Sequence, residues 1–222
     1  SSDLNNHHNM KLQKENFPLS VKDYLVTHEE FTLIFNSEKE MLLTDPQPTT
    51  NQLYKYYESD DYISHTDCNK GITSFLYQII KKIALQNKLN LIISLKKDAS
   101  NVLDIGAGTG DFLKYIKSKN RTVFGIEPNQ KARELAFKKG INLEESIANL
   151  KGKTFDVITL WHVLEHVPNL EITIQKIEEL LSTNGVLIIA VPNFNSFDAA
   201  FYKNYWAAFD VPRHLWHFSR NT

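Results

Sequence analysis

Cysteine is nearly absent from this chain. Cys68 is the only one, so no intramolecular disulfide can form and no cysteine zinc site can be built; a reducing cytoplasm is the simplest setting. An excess of either charge is lacking as well. The net charge of −1 gives no global field to recruit nucleic acid or an anionic membrane. No apolar run is long enough to span a bilayer, and the start carries no signal-peptide pattern. What is present is an ordinary globular composition, 42% hydrophobic over 222 residues, enough for one sizeable domain with an extension.

Glycine is sparse too, yet three of the eight stand at alternate positions in Val102-Leu103-Asp104-Ile105-Gly106-Ala107-Gly108-Thr109-Gly110-Asp111-Phe112. An apolar run ends in a carboxylate, the glycines follow, and a helical pattern begins: strand, tight turn, helix. Backbone that turns this sharply needs φ angles that side chains forbid, and it lets a ligand approach the main chain closely. A nucleotide-like ligand is one reading and a plain strand-to-helix turn the other. The dinucleotide fingerprint G-x-G-x-x-G would need glycine at position 111, where Asp111 stands. The third glycine comes one residue early, giving D-x-G-x-G-x-G, and here the chain resembles the class I S-adenosylmethionine (SAM)-dependent methyltransferases.

In chain order, residues 1–20 are polar and aperiodic and read as a disordered tail; its paired His7 and His8 make a poor metal site. Residues 21–100 read as a β-ribbon followed by a helical cap. The ribbon runs are Tyr24–Thr27, Phe31–Phe35 and Met41–Leu43, closed by Asp45-Pro46-Gln47-Pro48. Methyltransferases that this chain resembles carry a similar ribbon with paired cysteines for zinc, which are lacking here. An aromatic segment follows, in which Tyr57, Tyr62 or His65 covers the cofactor or bridges to the core. Ile72, Phe75, Leu76, Ile79, Ile80 and Ile83 recur at helical spacing, predicting an amphipathic helix over 71–87, with a second apolar piece over 89–95.

From residue 101 to 222 strands and helices alternate, which predicts an α/β fold: a doubly wound, mostly parallel Rossmann-like sheet. Strands are expected at 101–105, 122–126, 141–143, 155–160 and 186–191, and helices at 110–118, 130–139 and 169–182, with Asn129 as a cap and Gly140 as a stop. The resemblance implies a seven-stranded sheet whose last two strands pair antiparallel. Thr222 arrives before either, so the sequence is expected to be C-terminally incomplete.

Ligands of an open parallel sheet sit beyond the carboxyl ends of its strands. Glu127, followed by Pro128, ends the second strand where a carboxylate accepts both ribose hydroxyls of an adenosine. The resemblance gives Asp104 the loop and the cofactor's amino group, and gives the backbone of Gly106, Ala107 and Gly108 the methionine portion. No acid stands at the usual adenine position, leaving Ile147 and backbone groups there, while Leu160 and Trp161 line SAM.

The segment Trp161-His162-Val163-Leu164-Glu165-His166-Val167-Pro168 has two readings. His162, Glu165 and His166 would share one helical face, and H-x-x-E-H is also a zinc-peptidase signature. Against that, Pro168 allows barely two turns and no Glu follows Glu179 to complete the ligand set, so no metal is assigned. The segment resembles the post-strand-four motif of the ubiquinone-biosynthesis O-methyltransferases, in which His162 and His166 border the acceptor. A buried histidine tying down a helix is the other role for His166.

After residue 192 the composition turns aromatic. Lys203, Arg213 and Arg220 are too few for the basic interleaving of a nucleic-acid surface. A small, partly apolar acceptor behind an aromatic wall fits better. Pro212-Arg213-His214-Leu215-Trp216-His217-Phe218-Ser219 resembles a substrate-loop motif of the same enzymes, with His214 the first candidate base and Arg213 a candidate anion anchor; plain structural roles compete for both. The expected function is SAM-dependent methyl transfer to a small molecule, most naturally at oxygen, or SAM binding without catalysis.

Overall fold

The structure is a computed structural model that describes residues 11–12, 14–57 and 72–222. Tyr62, His65, Cys68 and the tail histidines His7 and His8 lie outside the described residues. Contacts divide the chain into two compact units: residues 1–66, 164–168 and 191–222 form one, and 67–163 with 169–190 the other. This is not a cut near residue 100, because the C-terminal aromatic stretch clusters with the ribbon.

The first unit begins with β1 (Leu19–Lys22), β2 (Glu30–Asn36) and β3 (Met41–Asp45), joined antiparallel in that order. The strand expected at 24–27 is a turn instead, and β1 lies earlier, straddling the end of the stretch expected as a tail. The cause is Asp23. Its carboxylate accepts the backbone N–H groups of Leu25, Val26 and Thr27 at 2.9–3.3 Å, so those residues curl around a side chain rather than pair with a neighbour. Val21, Phe31, Leu33 and Leu42 alternate onto one buried face and pack with Tyr56, Phe194, Phe209 and Val211. A short α1 (Thr50–Leu53) follows the ribbon.

The second unit opens with α2 (Ile72–Leu95), a single helix over both apolar pieces. Ile79, Ile80 and Ile83, expected to pack on the core, are exposed; Leu89 and Ile92 are the residues buried against the sheet. The sheet comprises β4 (Asn101–Ile105), β5 (Thr122–Ile126), β6 (Phe155–Trp161) and β7 (Leu181–Ala190), all parallel in the order β5-β4-β6-β7. Between them run α3 (Asp111–Lys117), α4 (Gln130–Lys138) and α5 (Leu170–Leu180). Asn129 caps α4 by accepting Ala132 N–H at 3.1 Å, and Gly140 leaves that helix at φ +80.

Two expected features come out differently. The strand at 141–143 is reduced to one parallel bridge between Ile126 and Glu144. The turn expected at Asn184-Gly185 lies within β7, whose register against β6 is irregular between Phe155 and Val157. A Cβ on Gly185 would stand 3.0 Å from the Phe155 carbonyl oxygen, a closeness that only glycine allows there.

The first unit is completed by α6 (Phe197–Tyr202) and β8 (Trp216–His217). β8 adds to the ribbon, antiparallel to β3, with Leu42 opposite His217 and Leu43 opposite Trp216.

Candidate functional site

In the second unit, β4 ends in a loop held by its neighbour strand. Gly106 and Ala107 donate their N–H groups to the Ile126 carbonyl at 2.8 and 2.9 Å. Gly106, Gly108 and Gly110 all have positive φ, between 53 and 73. A Cβ on Gly106 would meet Val163 Cγ2 at 2.3 Å, whereas one on Gly108 would meet nothing within 4 Å. Gly106 is therefore glycine for packing, while Gly108 faces open space of the kind a ligand fills.

Glu127 closes this cradle. Its carboxylate accepts Gly108 N–H and Asn129 N–H, each at 2.9 Å, one on each oxygen. Every carboxylate oxygen has a further lone pair, so the group can still accept from hydroxyls. Arg133 donates to the carbonyls of Glu127 and Pro128 and fixes this corner. Pro128 is exposed, and Ile147 is half-buried in a short turn whose first backbone groups are capped by Ser146. Glu127 N–H donates to the Glu144 carbonyl, drawing the segment before Ile147 to the end of β5.

Asp104 lies beneath the loop, 3% exposed, and accepts the Thr159 hydroxyl at 2.6 Å from the adjacent strand. Burial is the main force on its carboxyl and pushes it up to about 7, against the Thr159 hydrogen bond and the Lys88 charge; the Glu127 charge adds to the rise. No sequence motif announces Thr159. Leu160 is fully buried and Trp161 is half-buried, its ring edge-on to Phe112.

The histidines expected around the acceptor divide between the units. His162 is exposed in a turn of the second unit at φ +58, its N–H donating to the Ala190 carbonyl. A left-handed residue cannot share an α-helical face with its successors, and Leu164–His166 is one 3-10 turn. The helical H-x-x-E-H face is thus not formed.

His166 and His214 belong to the first unit and meet there edge to face, with ring centroids 4.6 Å apart. His166 Nδ1 is 3.0 Å from the Arg213 carbonyl oxygen, and His214 Nδ1 is 2.9 Å from that of Ala208. A carbonyl only accepts, so both Nδ1 atoms carry hydrogen and each neutral ring leaves its Nε2 lone pair available. Burial lowers both rings' affinity for a proton; for His214, burial together with the neighbouring His166 charge outweighs the Asp210 and Glu165 carboxylates and brings the ring down to about 4. Tyr57 OH stands 3.1 Å from His166 Nδ1. Glu165, His166 and His214 bring one ligand-type atom each within 4.8 Å, a grouping with the composition to hold a metal ion.

Arg213 is 1% exposed and its guanidinium is fully engaged. It donates to Asp210, to Asp23 and to the Tyr56 carbonyl, at 2.7–3.1 Å. Every guanidinium nitrogen has a partner, which is the structural role rather than an open anion anchor. Of the aromatic stretch, Phe194 and Phe209 are core residues, while Phe197, Phe201, Tyr202 and Tyr205 are exposed.

A doubly wound sheet with a glycine loop after its first strand and a carboxylate after its second defines a Rossmann-like, nucleotide-cofactor class of protein. Residues 76–222 match a protein family described as a methyltransferase domain. The chain belongs to this methyltransferase family, and the class I SAM-dependent group named from its motifs is the right one. It is 32% identical over 123 residues to the ubiquinone biosynthesis O-methyltransferase of Actinobacillus pleuropneumoniae, covering 49% of this chain and 50% of that protein. An uncharacterized methyltransferase of Anoxybacillus flavithermus is 31% identical over 118 residues, covering 50% and 55%. This chain therefore spans about half the length of these relatives. The fold is similar to that of the plantazolicin methyltransferase BpumL, with a TM-score of 0.52 at 21% identity over 73% of this chain and 67% of that one. Among the described residues no helix is long and apolar enough to cross a membrane.

Proposed function

We propose that the chain carries the core of an enzyme that transfers a methyl group from SAM to a small-molecule acceptor, with oxygen the receiving atom. The observation that carries the reading is the Glu127 carboxylate locked against Gly108 N–H, beside open space where a side chain on Gly108 would otherwise stand. Glu127, with Pro128, is the ribose residue. Asp104 takes the amino group of the methionine portion, the backbone of Gly106, Ala107 and Gly108 lies along it, and Ile147, Leu160 and Trp161 supply apolar walls. Tyr62 keeps its proposed role over the cofactor. Bound SAM supplies an electrophilic methyl carbon on a sulfonium sulfur.

The protein's own contribution is alignment, water exclusion and removal of one proton. His214 is the base: its Nε2 takes the acceptor's hydroxyl proton, while Nδ1–H stays on the Ala208 carbonyl and fixes the tautomer. His166 braces the ring edge to face, Arg213 positions the loop that presents His214, and His162 borders the acceptor. Relatives named as O-methyltransferases support oxygen as the receiving atom, and the single cysteine supports a cytoplasmic setting.

Calorimetry of the intact, full-length protein with S-adenosylhomocysteine tests the cofactor; absence of binding sinks the reading. Methyl release onto a panel of hydroxylated metabolites then tests the reaction. Binding without transfer would leave a non-catalytic SAM-binding module.

A further inference from the structure

An apolar face of the first unit is turned to solvent. Phe197, Phe201 and Tyr202 of α6, Tyr205 in the turn after it, and Tyr24 and Leu25 in the turn after β1 are each between 50% and 68% exposed. The rings are ordered against one another. Phe197 and Phe201 stack with centroids 6.0 Å apart, Phe201 meets Tyr202 edge to face at 5.0 Å, and Tyr205 lies 5.9 Å from Tyr24. Rings held in this way lose little freedom when a partner covers them. A large apolar side chain has roughly 150–250 Å² to bury, so six that are exposed by half or more leave open about 600 Å². That reaches the top of the range for the largest apolar patch of a monomeric protein, about 300–600 Å².

The charges of this face are balanced. Asp198 lies in the first turn of α6 and Lys203 directly follows its last residue, both exposed. An anionic membrane surface is drawn by basic residues flanking the apolar ones, and here one acid offsets one base. The same arrangement complements its own copy: about a two-fold axis, Asp198 can face the partner's Lys203 and Lys203 the partner's Asp198.

We propose that this face joins two copies of the chain in an isologous dimer. Covering it on both copies removes about 1,200 Å² from water, which is where stable specific interfaces begin. Aromatic side chains are also the ones in which interface centres are enriched. The proposal does not depend on the SAM reading.

Sedimentation velocity on the intact, full-length protein tests it, and a two-copy species should be present by about 10 µM. Phe201→Asp puts a carboxylate into the face of each copy and should weaken the dimer about a hundredfold or more, with the circular dichroism spectrum unchanged. Asp198→Lys and Lys203→Asp should each weaken self-association. An equimolar mixture of these two variants should restore a dimer, because opposite charges then meet across the interface. The mixture carries the test should Phe201→Asp fail to fold. A wild type still monomeric at about 100 µM would overturn the proposal. So would a dimer indifferent to Phe201→Asp, or a mixture that associates no more tightly than either variant alone. Vesicles of phosphatidylcholine and phosphatidylserine supply the lipid alternative. A monomer that sediments with them, and loses this with Phe201→Asp, would give the face to a lipid surface and overturn the dimer.

Discussion

His166 and His214 stand edge to face, each anchors its Nδ1–H on a backbone carbonyl, and burial disfavours the charged form of both rings, which leaves each Nε2 as the acceptor nitrogen. Loops near Arg213 and Ala208 thereby fix the tautomer on which proton removal depends. If His214 is the base, His214→Gln should lower the methyl-transfer kcat by about a hundredfold or more while changing S-adenosylhomocysteine affinity little. Equal loss in binding and turnover would demote the ring to a structural part.

Glu127 holds two backbone N–H groups as well as facing the cradle. Glu127→Ala should weaken S-adenosylhomocysteine about tenfold to a hundredfold by removing a charged acceptor for the ribose hydroxyls. Titration calorimetry reads this directly, and unchanged affinity would take the ribose away from Glu127.

Asp104 predicts a pH signature. Burial raises its carboxyl to about 7, above its ordinary value of 3.8, so its relative contribution to stability is full below 3.8 and is lost as pH rises through about 7. Thermal unfolding of Asp104→Asn across that window should show a shallower fall of Tm with rising pH than the wild type. Binding a ligand ammonium favours the ionised carboxylate, so uptake of S-adenosylhomocysteine near pH 7 should release protons. Calorimetry in buffers of different ionisation enthalpy measures that release, and proton uptake would contradict the assignment.

The buried Asp23–Arg213 pair is a stability element. Burial alone would raise the Asp23 carboxyl; hydrogen bonds from Arg213, Thr27 and Leu25, with the Arg213 charge, outweigh it and bring the group down to about 2. Its contribution is present above the ordinary value of 3.8 and is lost as pH falls through about 2. Arg213→Met strands a carboxylate at 0% exposure and should cost about 3–5 kcal/mol in denaturant unfolding. A cost near zero would mean that Asp23 finds water instead.

Glu165, His166 and His214 could also converge on a cation. The acid–base reading needs the Nε2 atoms of His166 and His214, so purified protein should contain no stoichiometric zinc by elemental analysis. One equivalent of tightly held zinc would replace the base with a metal centre.

Local features are legible in the sequence and distant ones are not. Asp104, the glycines and Glu127 announce themselves because strand, turn and helix occupy adjacent residues, and Asn129 and Gly140 mark α4 by the same local chemistry. The first ribbon strand is displaced from its expected position because Tyr24–Thr27 has a strand's composition, while Asp23 spends those amides on its own side chain. Arg213 has the look of an anion anchor since its partner Asp23 lies 190 residues away, beyond any motif. His162 leaves the expected helical face through one left-handed φ, which composition does not announce.

The pairing of β3 with β8 sets a timetable for synthesis. Leu42 leaves the ribosome long before His217 does, by roughly ten to thirty-five seconds at ordinary elongation rates. Through that interval β3 has an unpaired edge and Asp23 has no cation. The intervening parallel sheet already has all its strands, so it can form while the ribbon waits. A nascent chain stalled before Arg213 should therefore expose its ribbon to protease while protecting the glycine loop, making the histidine-bearing unit the last part of this methyltransferase to become native.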